Sequence, residues 1–177
     1  MKLTRHAEAS YRLQDYRASA TIEGVVIHEL RRFNDDGGAM IELLREGERP
    51  AELADFELKQ LNYSTLQPGT IKAFHLHREQ TDVWFVPPED RVLVVLLDTR
   101  EGSPSAGNQL RMVLGDGRPV LLRIPPGVAH GCRNLGSAAA RIIYFTDRLF
   151  TPEPDRCDEG RLPWDFAGAQ VWETTRE

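Results

Sequence analysis

The chain has 177 residues, 41% hydrophobic and 28% charged, which is the composition of one ordinary globular domain with a sizeable core. The formal net charge of -5, without a basic cluster, argues against nucleic acid as the main partner. Two cysteines make no disulfide framework, and no stretch approaches the roughly 20 apolar residues of a membrane span. We therefore expect a cytoplasmic protein with reduced thiols and no membrane partner.

An antiparallel β-fold is predicted by short apolar segments that turn signals separate at regular intervals. They follow residues 1–20, where Leu13 and Tyr16 would share one face of a short helix. The turn at 34–38, Asn-Asp-Asp-Gly-Gly, would join the first two strands into a hairpin, and 49–56 has the composition of one or two helical turns. The predicted strands are 22–30, 39–45, 57–63, 69–77, 84–86, 92–97, 109–114, 120–124 and 138–145.

These patterns divide the chain into an N-terminal arm at 1–20, one β-domain at 21–166 and a C-terminal tail at 167–177. Helices do not alternate with the strands, so a parallel α/β sheet is a poor fit. Beyond residue 152 the chain is polar, and its predicted docking points on the domain are Pro163, Trp164 and Phe166.

Two histidines lie close together in the predicted strand 69–77. Regular alternation would place His75 and His77 on one face and Lys72 on the opposite face. Ala73 would share the histidine face and, being small, would leave room there for a ligand. This strand is therefore the first half of a candidate site.

A second segment, 124–134, supplies another histidine at His130 and begins with the turn Pro-Pro-Gly. Together the two segments resemble the halves of a cupin signature, His-x-His followed by Pro-x-Gly-x-x-His-x-x-x-Asn. The second half matches at every fixed position, whereas Asp82 stands where cupins usually carry Glu. The resemblance implies an all-β fold, the antiparallel double-stranded β-helix or jelly-roll barrel of the cupins, with short peripheral helices.

Between residues 21 and 166 the order of motifs resembles that of the dTDP-4-dehydrorhamnose 3,5-epimerases. The resemblance rests on several short segments in one shared order. They are Gln60-x-Asn62-x-Ser64, Lys72-Ala73-Phe74-His75 with Lys for Arg and Ala for Gly, the loop from Asp98 to Pro104, Ile124 to Gly131, Tyr144 with Thr146, and Pro163-Trp164-Asp165.

This resemblance implies a homodimer that acts on a nucleotide-linked 4-keto-6-deoxy sugar without a metal or organic cofactor. A ketone at C4 acidifies the protons at C3 and C5, so a base and an acid on opposite faces of the sugar invert a centre. By position His75 would be the general base and Tyr144 the acid. The implied substrate-binding residues are Gln60, Asn62, Lys72, His77 and His130.

Two catalytic groups of that family have no evident counterpart. The family carries a lysine a few residues after its base, but residues 80–84 read Gln-Thr-Asp-Val-Trp. The family also orients its histidine with an aspartate beyond the Trp-Asp element. The carboxylates of Asp165 and Glu173 are the candidates that remain in this region.

Three alternatives stay open. A set of three histidines and one carboxylate suits Fe(II), Mn(II), Ni(II) or Zn(II), and this chain offers His75, His77, Asp82 and His130. A metal-dependent cupin isomerase or dioxygenase would use these four residues as ligands. A non-catalytic sugar-binding cupin would keep the pocket without an acid and a base. Tyr144 itself could be an ordinary core tyrosine, and Cys132 is interpreted as a small buried residue.

Overall fold

The computed structural model describes residues 1–13, 20–45 and 47–174. Within these ranges the secondary structure is one α-helix, two short 3₁₀ helices and twelve strands. The helices are α1 Arg5–Ser10 and the 3₁₀ helices Ala51–Leu53 and Ala169–Trp172. The strands are β1 Val26–Glu29, β2 Arg32–Asp35, β3 Gly38–Ile41, β4 Gln60–Leu66, β5 Ile71–Leu76, β6 Asp82–Phe85, β7 Arg91–Asp98, β8 Gln109–Gly115, β9 Val120–Ile124, β10 Val128–Asn134, β11 Ala140–Thr146 and β12 Gly160–Arg161.

Two antiparallel sheets of five strands each face one another. The first has the order β1-β9-β6-β11-β4 and the second the order β12-β5-β10-β7-β8, while β2 and β3 form a separate hairpin. Neighbouring strands in each sheet are mostly distant in sequence, as in a jelly roll, where the chain crosses repeatedly from one sheet to the other. The predicted all-β jelly-roll barrel is confirmed.

Strand β7 shows why a continuous apolar run forms a central strand here. Val92, Val94 and Leu96 point between the two sheets and join the interior core. Leu93 and Val95 point to the outer face of the second sheet and join a different core cluster. Both faces of β7 are buried, so every position in the run is apolar.

The outer faces of both sheets are covered by short segments. Leu53 and Phe56 cover the first sheet and are each 1% exposed. Val171 and Trp172, from the 3₁₀ helix near the C-terminus, cover the second sheet, and the indole of Trp172 is 5.2 Å from the ring of Phe74. Burial on both faces holds the sheets in place around the interior.

The predicted hairpin is wrong in its pairing. Strand β1 pairs with β9, and the hairpin instead joins β2 to β3 across the predicted turn. The docking points Trp164 and Phe166 are also wrong, because their side chains are about half exposed. Sequence patterns show that a segment is apolar or turn-forming, but they do not show which distant strand offers the complementary edge.

The described part of the N-terminal region contains one short, exposed helix. Helix α1 has no buried residue, and Leu13 is 81% exposed. Tyr16, which we expected to share a helical face with Leu13, lies outside the described residues. No helix in the described ranges is long and apolar enough to cross a membrane.

Candidate active site

A cavity of about 410 Å³ opens between the two sheets, and most of the candidate site residues line it. Both walls contribute, because β5 and β10 belong to the second sheet whereas β6 and β11 belong to the first. The polar side chains in its lining that bear on the chemistry are Lys72, His75, His77, Gln80, Asp82, His130, Tyr144 and Glu159.

A β-bulge in β5 decides which side chains reach this cavity. His75 pairs with His130 and Lys72 pairs with Cys132, so three steps along β5 oppose two steps along β10. The extra residue reverses the alternation between these positions. Lys72 and His75 therefore face the same cavity, and the prediction that they lie on opposite faces is wrong.

The residues inside the bulge face away from the cavity. Ala73 and Phe74 both belong to the cluster that packs against Trp172 on the outer side of the second sheet. The prediction that Ala73 leaves room for a ligand is therefore wrong. Its small side chain instead lies against Gly131, where a Cβ would be 2.4 Å from the Cβ of Ala73.

His75 is held by a carboxylate that sequence reasoning missed. Its Nδ1 lies 2.6 Å from Oε1 of Glu159, the residue before β12. The hydrogen bond from His75 keeps the pKa of Glu159 below its usual range, against the opposing effect of burial, and the charge of Arg161 also lowers it. Asp165 and Glu173, the expected candidates, are exposed and line no part of the cavity.

Two further histidines are fixed by backbone carbonyls. Nδ1 of His77 lies 2.7 Å from the carbonyl oxygen of Asp158, and Nδ1 of His130 lies 3.0 Å from that of Val128. A carbonyl only accepts, so Nδ1 carries the proton in both rings. Nε2 of His130 lies 3.4 Å from a carboxylate oxygen of Asp82, and Nε2 of His77 lies 4.0 Å from carboxylate oxygens of both Asp82 and Glu159.

Asp82 is 3% exposed and lies at the centre of this group. Burial alone would raise its pKa, but the hydrogen bond and charge of His130 and the charge of His77 lower it to about 2. Two neutral donors also stabilise the carboxylate: the amide of Gln80 at 2.7 Å and the indole nitrogen of Trp84 at 3.1 Å. Asp82 is therefore ionised at neutral pH.

Tyr144 lies on the opposite wall of the cavity from His75, because β11 belongs to the first sheet and β5 to the second. Burial raises the pKa of its phenol, and the negative charges of Asp82 and Glu159 raise it further. A phenol with a raised pKa keeps its proton at neutral pH. Tyr144 can therefore donate a proton into the cavity.

The remaining candidate binding residues differ in their access to the cavity. The Lys72 ammonium is 3.1 Å from Oγ of Ser64 and equally far from the carbonyl of Thr65. Gln60 and Asn62 are hydrogen-bonded to each other at 2.9 Å but are absent from the cavity lining. The structure thus brings five of the seven predicted site residues to the cavity: Lys72, His75, His77, His130 and Tyr144.

The predicted metal-ligand set is only partly assembled. One potential ligand atom each from His77, Asp82 and His130 lies within 4.8 Å of the others. His75, the fourth member of that set, is instead directed at Glu159. Cys132 also lines the cavity, but burial raises the pKa of its thiol to about 12, so it stays protonated and inert, as expected of a small buried residue.

The sequence matches one family model and a curated relative over most of its length. A sequence model of dTDP-4-dehydrorhamnose 3,5-epimerase matches residues 19–165. The spore coat polysaccharide biosynthesis protein SpsL of Bacillus subtilis is 43% identical over 144 residues, covering 81% of this chain and 91% of SpsL.

Two solved structures have the same fold. The dTDP sugar isomerase of Desulfovibrio desulfuricans superposes with a TM-score of 0.71 at 29% identity, covering 87% of this chain and 91% of that one. The epimerase RmlC of Legionella pneumophila, in complex with dTDP-4-keto-L-rhamnose, gives a TM-score of 0.66 at 25% identity, covering 76% of this chain and 72% of that one.

Proposed function

Because the chain belongs to the dTDP-4-dehydrorhamnose 3,5-epimerase family, an isomerase-type family of dTDP-sugar chemistry, we propose that it epimerises a dTDP-4-keto-6-deoxyhexose by proton transfer beside the 4-keto group. The observation that carries this proposal is the cavity with the His75–Glu159 pair on one wall and Tyr144 on the other. The matching family model is named for an epimerase and a similar solved structure for a dTDP sugar isomerase, which favours this interpretation over the metal-dependent cupin enzyme and the non-catalytic sugar-binding cupin.

His75 is the proposed general base. A carboxylate only accepts hydrogen bonds, so the 2.6 Å contact with Glu159 places a proton on Nδ1 of His75 and leaves Nε2 unprotonated. That atom takes the proton from C3 or C5 of the sugar, and the electron pair moves into the enolate at C4. As the imidazolium forms, the ionised Glu159 stabilises its positive charge.

Tyr144 is the proposed acid. Its phenol keeps its proton at neutral pH and approaches the enolate from the opposite sheet. Transfer of the phenolic proton to the carbon on the face away from His75 inverts the centre. The imidazolium of His75 then releases its proton to solvent, and the tyrosinate takes one back. Each such group contributes roughly 10²- to 10⁴-fold to the rate.

Lys72 is the proposed anchor for the anionic part of the substrate. The bulge in β5 brings its ammonium to the cavity, where two of its donors are held by Ser64 and Thr65. An ammonium has three donors, so one remains for a phosphate oxygen of a bound nucleotide sugar. His77 and His130 complete the polar lining, whereas Gln60 and Asn62 would contact a part of the substrate that extends beyond the cavity.

We also propose that the protein is a homodimer. Strand β4 is an edge of the first sheet, and Leu61 and Tyr63 on it are more than half exposed. The hairpin also exposes Phe33 and Met40. An unpaired edge with apolar side chains favours association with a second copy, and light scattering of wild type and of Tyr63→Asp would test this.

The name of one relative suggests a biological setting. SpsL is named for spore coat polysaccharide biosynthesis, so we place this activity in a cytoplasmic route that supplies sugars for a surface polysaccharide or a glycosylated product. The final acceptor of the sugar would be chosen by other enzymes.

Deuterium exchange tests the function directly. The protein as purified is incubated in D₂O with dTDP-4-keto-6-deoxyglucose, and the C3 and C5 protons are followed by NMR. We expect loss of at least one signal; loss of both identifies a 3,5-epimerase and loss of one a single-site epimerase. His75→Asn should abolish the exchange, and exchange at the wild-type rate in that variant would refute the assignment of the base.

Tyr144→Phe separates the two halves of the reaction. Without the phenol, His75 still removes a proton and returns a deuteron to the same face, so exchange continues while inversion stops. Exchange with full retention of configuration is the expected result. Inversion at the wild-type rate in Tyr144→Phe would show that another group is the acid.

A further inference from the structure

We propose that Asp158 is a positioning residue for the general base, because it fixes the chain so that Glu159, the next residue, meets His75. This role rests on the proposed function, since it concerns how the base of that reaction is held. Asp158 is absent from the lining of the cavity, so it acts on the substrate only through Glu159. Two sets of contacts fix it, one made by its carboxylate and one by its backbone.

The carboxylate of Asp158 closes the loop between β5 and β6. Its Oδ1 accepts a hydrogen bond from the backbone N–H of Arg78 at 2.9 Å. Its Oδ2 accepts from the backbone N–H groups of Glu79 at 2.9 Å and Gln80 at 2.8 Å. Successive N–H groups that point at one anion form a concave binding site, and hydrogen bonds to a charged acceptor are stronger than neutral ones.

These contacts keep the carboxylate of Asp158 ionised. Burial alone would raise its pKa, but the three backbone N–H groups and the charge of His77 hold it below its usual range. Residues 78–80 are therefore tied to Asp158 at neutral pH. The tie also reaches the far wall of the cavity, because the side-chain amide of Gln80 donates to Asp82 at 2.7 Å.

The backbone around Asp158 is fixed to the same strand. Its carbonyl oxygen accepts the hydrogen bond from Nδ1 of His77 at 2.7 Å. The residues that follow Glu159 form β12, which pairs with β5 and places Arg161 opposite His75. Glu159 therefore lies between two attached points, and its backbone can move little relative to the histidine that it orients.

The two consecutive carboxylates have different partners. That of Asp158 is occupied by backbone donors, whereas that of Glu159 lies 2.6 Å from Nδ1 of His75 and 3.4 Å from the guanidinium of Arg161. The side chain of Glu159 is 30% exposed and has several rotatable bonds, so packing alone does not hold it. A fixed backbone on both sides limits the positions that its carboxylate can reach.

The position of Glu159 decides which nitrogen of His75 is basic. Its carboxylate keeps the proton on Nδ1, so Nε2 is free to accept a proton from the sugar. If Asp158 released the loop, this contact would lengthen and bend, and a misaligned hydrogen bond weakens steeply. The proton could then occupy Nε2, where the base must accept one, and a displacement of about 1 Å at such a group costs about 10²-fold in rate.

A double-mutant cycle tests whether Asp158 acts through Glu159. Asp158→Asn keeps the size of the side chain but replaces one accepting oxygen by an N–H donor. We expect kcat to fall roughly 10²-fold while KM changes by less than about threefold. In the Glu159→Gln background the same substitution should change kcat by less than about twofold. Equal losses of kcat in both backgrounds would overturn the proposal, and Asp155→Asn, exposed on the same segment, is the matched control.

The ring ¹⁵N shifts of His75 test the same idea without substrate. They are recorded at a pH where the ring is neutral and are assigned by their absence from His75→Asn. We expect the Nδ1–H tautomer in wild type and in Asp155→Asn, and a mixture of both tautomers in Asp158→Asn. Wild-type shifts in the folded Asp158→Asn protein would overturn the proposal.

Two further points keep the test decisive. Circular dichroism checks the fold, and Asp158→Ser, whose hydroxyl can still accept from the loop, replaces Asp158→Asn if that variant does not fold. A wild-type protein that exchanged no proton of the sugar would refute the proposed function. The ¹⁵N shifts would still show whether Asp158 positions Glu159, so the two failures give different results.

Discussion

Lys72 and His75 lie on the same face of strand β5, although the two residues between them would put them on opposite faces of a regular strand. The bulge at Ala73 and Phe74 adds one residue to the strand, so the ammonium of Lys72 and the imidazole of His75 both point into the cavity. This local irregularity makes both groups available to the same substrate.

Replacing Lys72 by Met should raise KM at least 10-fold and change kcat by less. A charged hydrogen bond contributes about 1.5–3 kcal/mol, and this one would be made to the bound substrate before and during the reaction. Lys72→Arg should keep most of the affinity, and Lys2→Met, on the exposed N-terminal arm, is the matched control. Steady-state kinetics measures both constants. An unchanged KM in Lys72→Met would show that this lysine does not bind the substrate.

Replacing Glu159 by Gln should lower kcat by about 10²- to 10⁴-fold with little change in thermal stability. The amide offers His75 a donor as well as an acceptor and cannot stabilise the imidazolium, while the side chain is 30% exposed and contributes little packing. Glu153→Gln, an exposed partner of Arg156, is the control. If the rate stayed within twofold of wild type, the carboxylate would have no part in activating His75.

Replacing Gly131 by Ala should destabilise the protein by about 1–3 kcal/mol. The new Cβ would be 2.4 Å from the Cβ of Ala73 and 2.9 Å from the indole of Trp172, so the second sheet and the 3₁₀ helix cannot pack as they do. Urea denaturation measures the loss. Gly37→Ala, where the nearest heavy atom is a side-chain oxygen at 3.4 Å, should cost much less.

A second substitution tests the cause of that destabilisation. Ala73→Gly in the Gly131→Ala background removes the closest atom, so it should recover part of the lost free energy of unfolding. Additive effects of the two substitutions would show that they do not share a contact.

Replacing Asp98 by Asn should destabilise the protein by about 3–5 kcal/mol at pH 7. The side chain of Asp98 is fully buried and accepts hydrogen bonds from Arg100, Ser103 and Ser105. The hydrogen bond from Arg100 holds the pKa of Asp98 well below the usual range, although burial by itself would raise it. The hydrogen bonds from both serines lower this pKa further. The carboxylate therefore stabilises the folded state above the pKa of the unfolded chain.

The pH dependence of this effect has a definite sign. The stabilisation from Asp98 is complete above about pH 5 and is lost as the pH falls through about 4 towards the lower folded pKa. The difference in unfolding free energy between wild type and Asp98→Asn should shrink over that acidic window. Asp116→Asn, at an exposed turn beside Arg91, is the control. Its unfolding free energy should stay close to that of wild type at neutral pH and throughout the acidic window.

Much of the fold could be predicted from local pattern. The apolar run in β7 and the two histidine segments indicated a β-barrel with His75, His77 and His130 near one another, because alternation and turn chemistry act over a few residues. The pairing of the strands could not be predicted from these local patterns. Strand β1 pairs with β9 rather than with the nearest strand, since its partner is decided by which edge remains free in the assembled sheet.

The candidate site also combines residues that local patterns identify with contacts that only the folded chain forms. Glu159 is 84 residues from His75, and no short spacing marks the pair. A strand signal at β12 would have been needed to find it, but that strand has two residues. The separation of Gln60 and Asn62 from the cavity likewise depends on how far along β4 the opposite sheet reaches, which no periodicity encodes.

The sequence by itself determined the all-β class, the family and the identity of the imidazoles and the phenol, because these depend on residue types and short-range order. Only the tertiary structure decided that Lys72 shares the cavity with His75, that Glu159 orients this histidine, and that His77, Asp82 and His130 converge. The physical reason is that a bulge and long-range strand pairing set these positions, and both depend on contacts formed only when the two sheets close on each other.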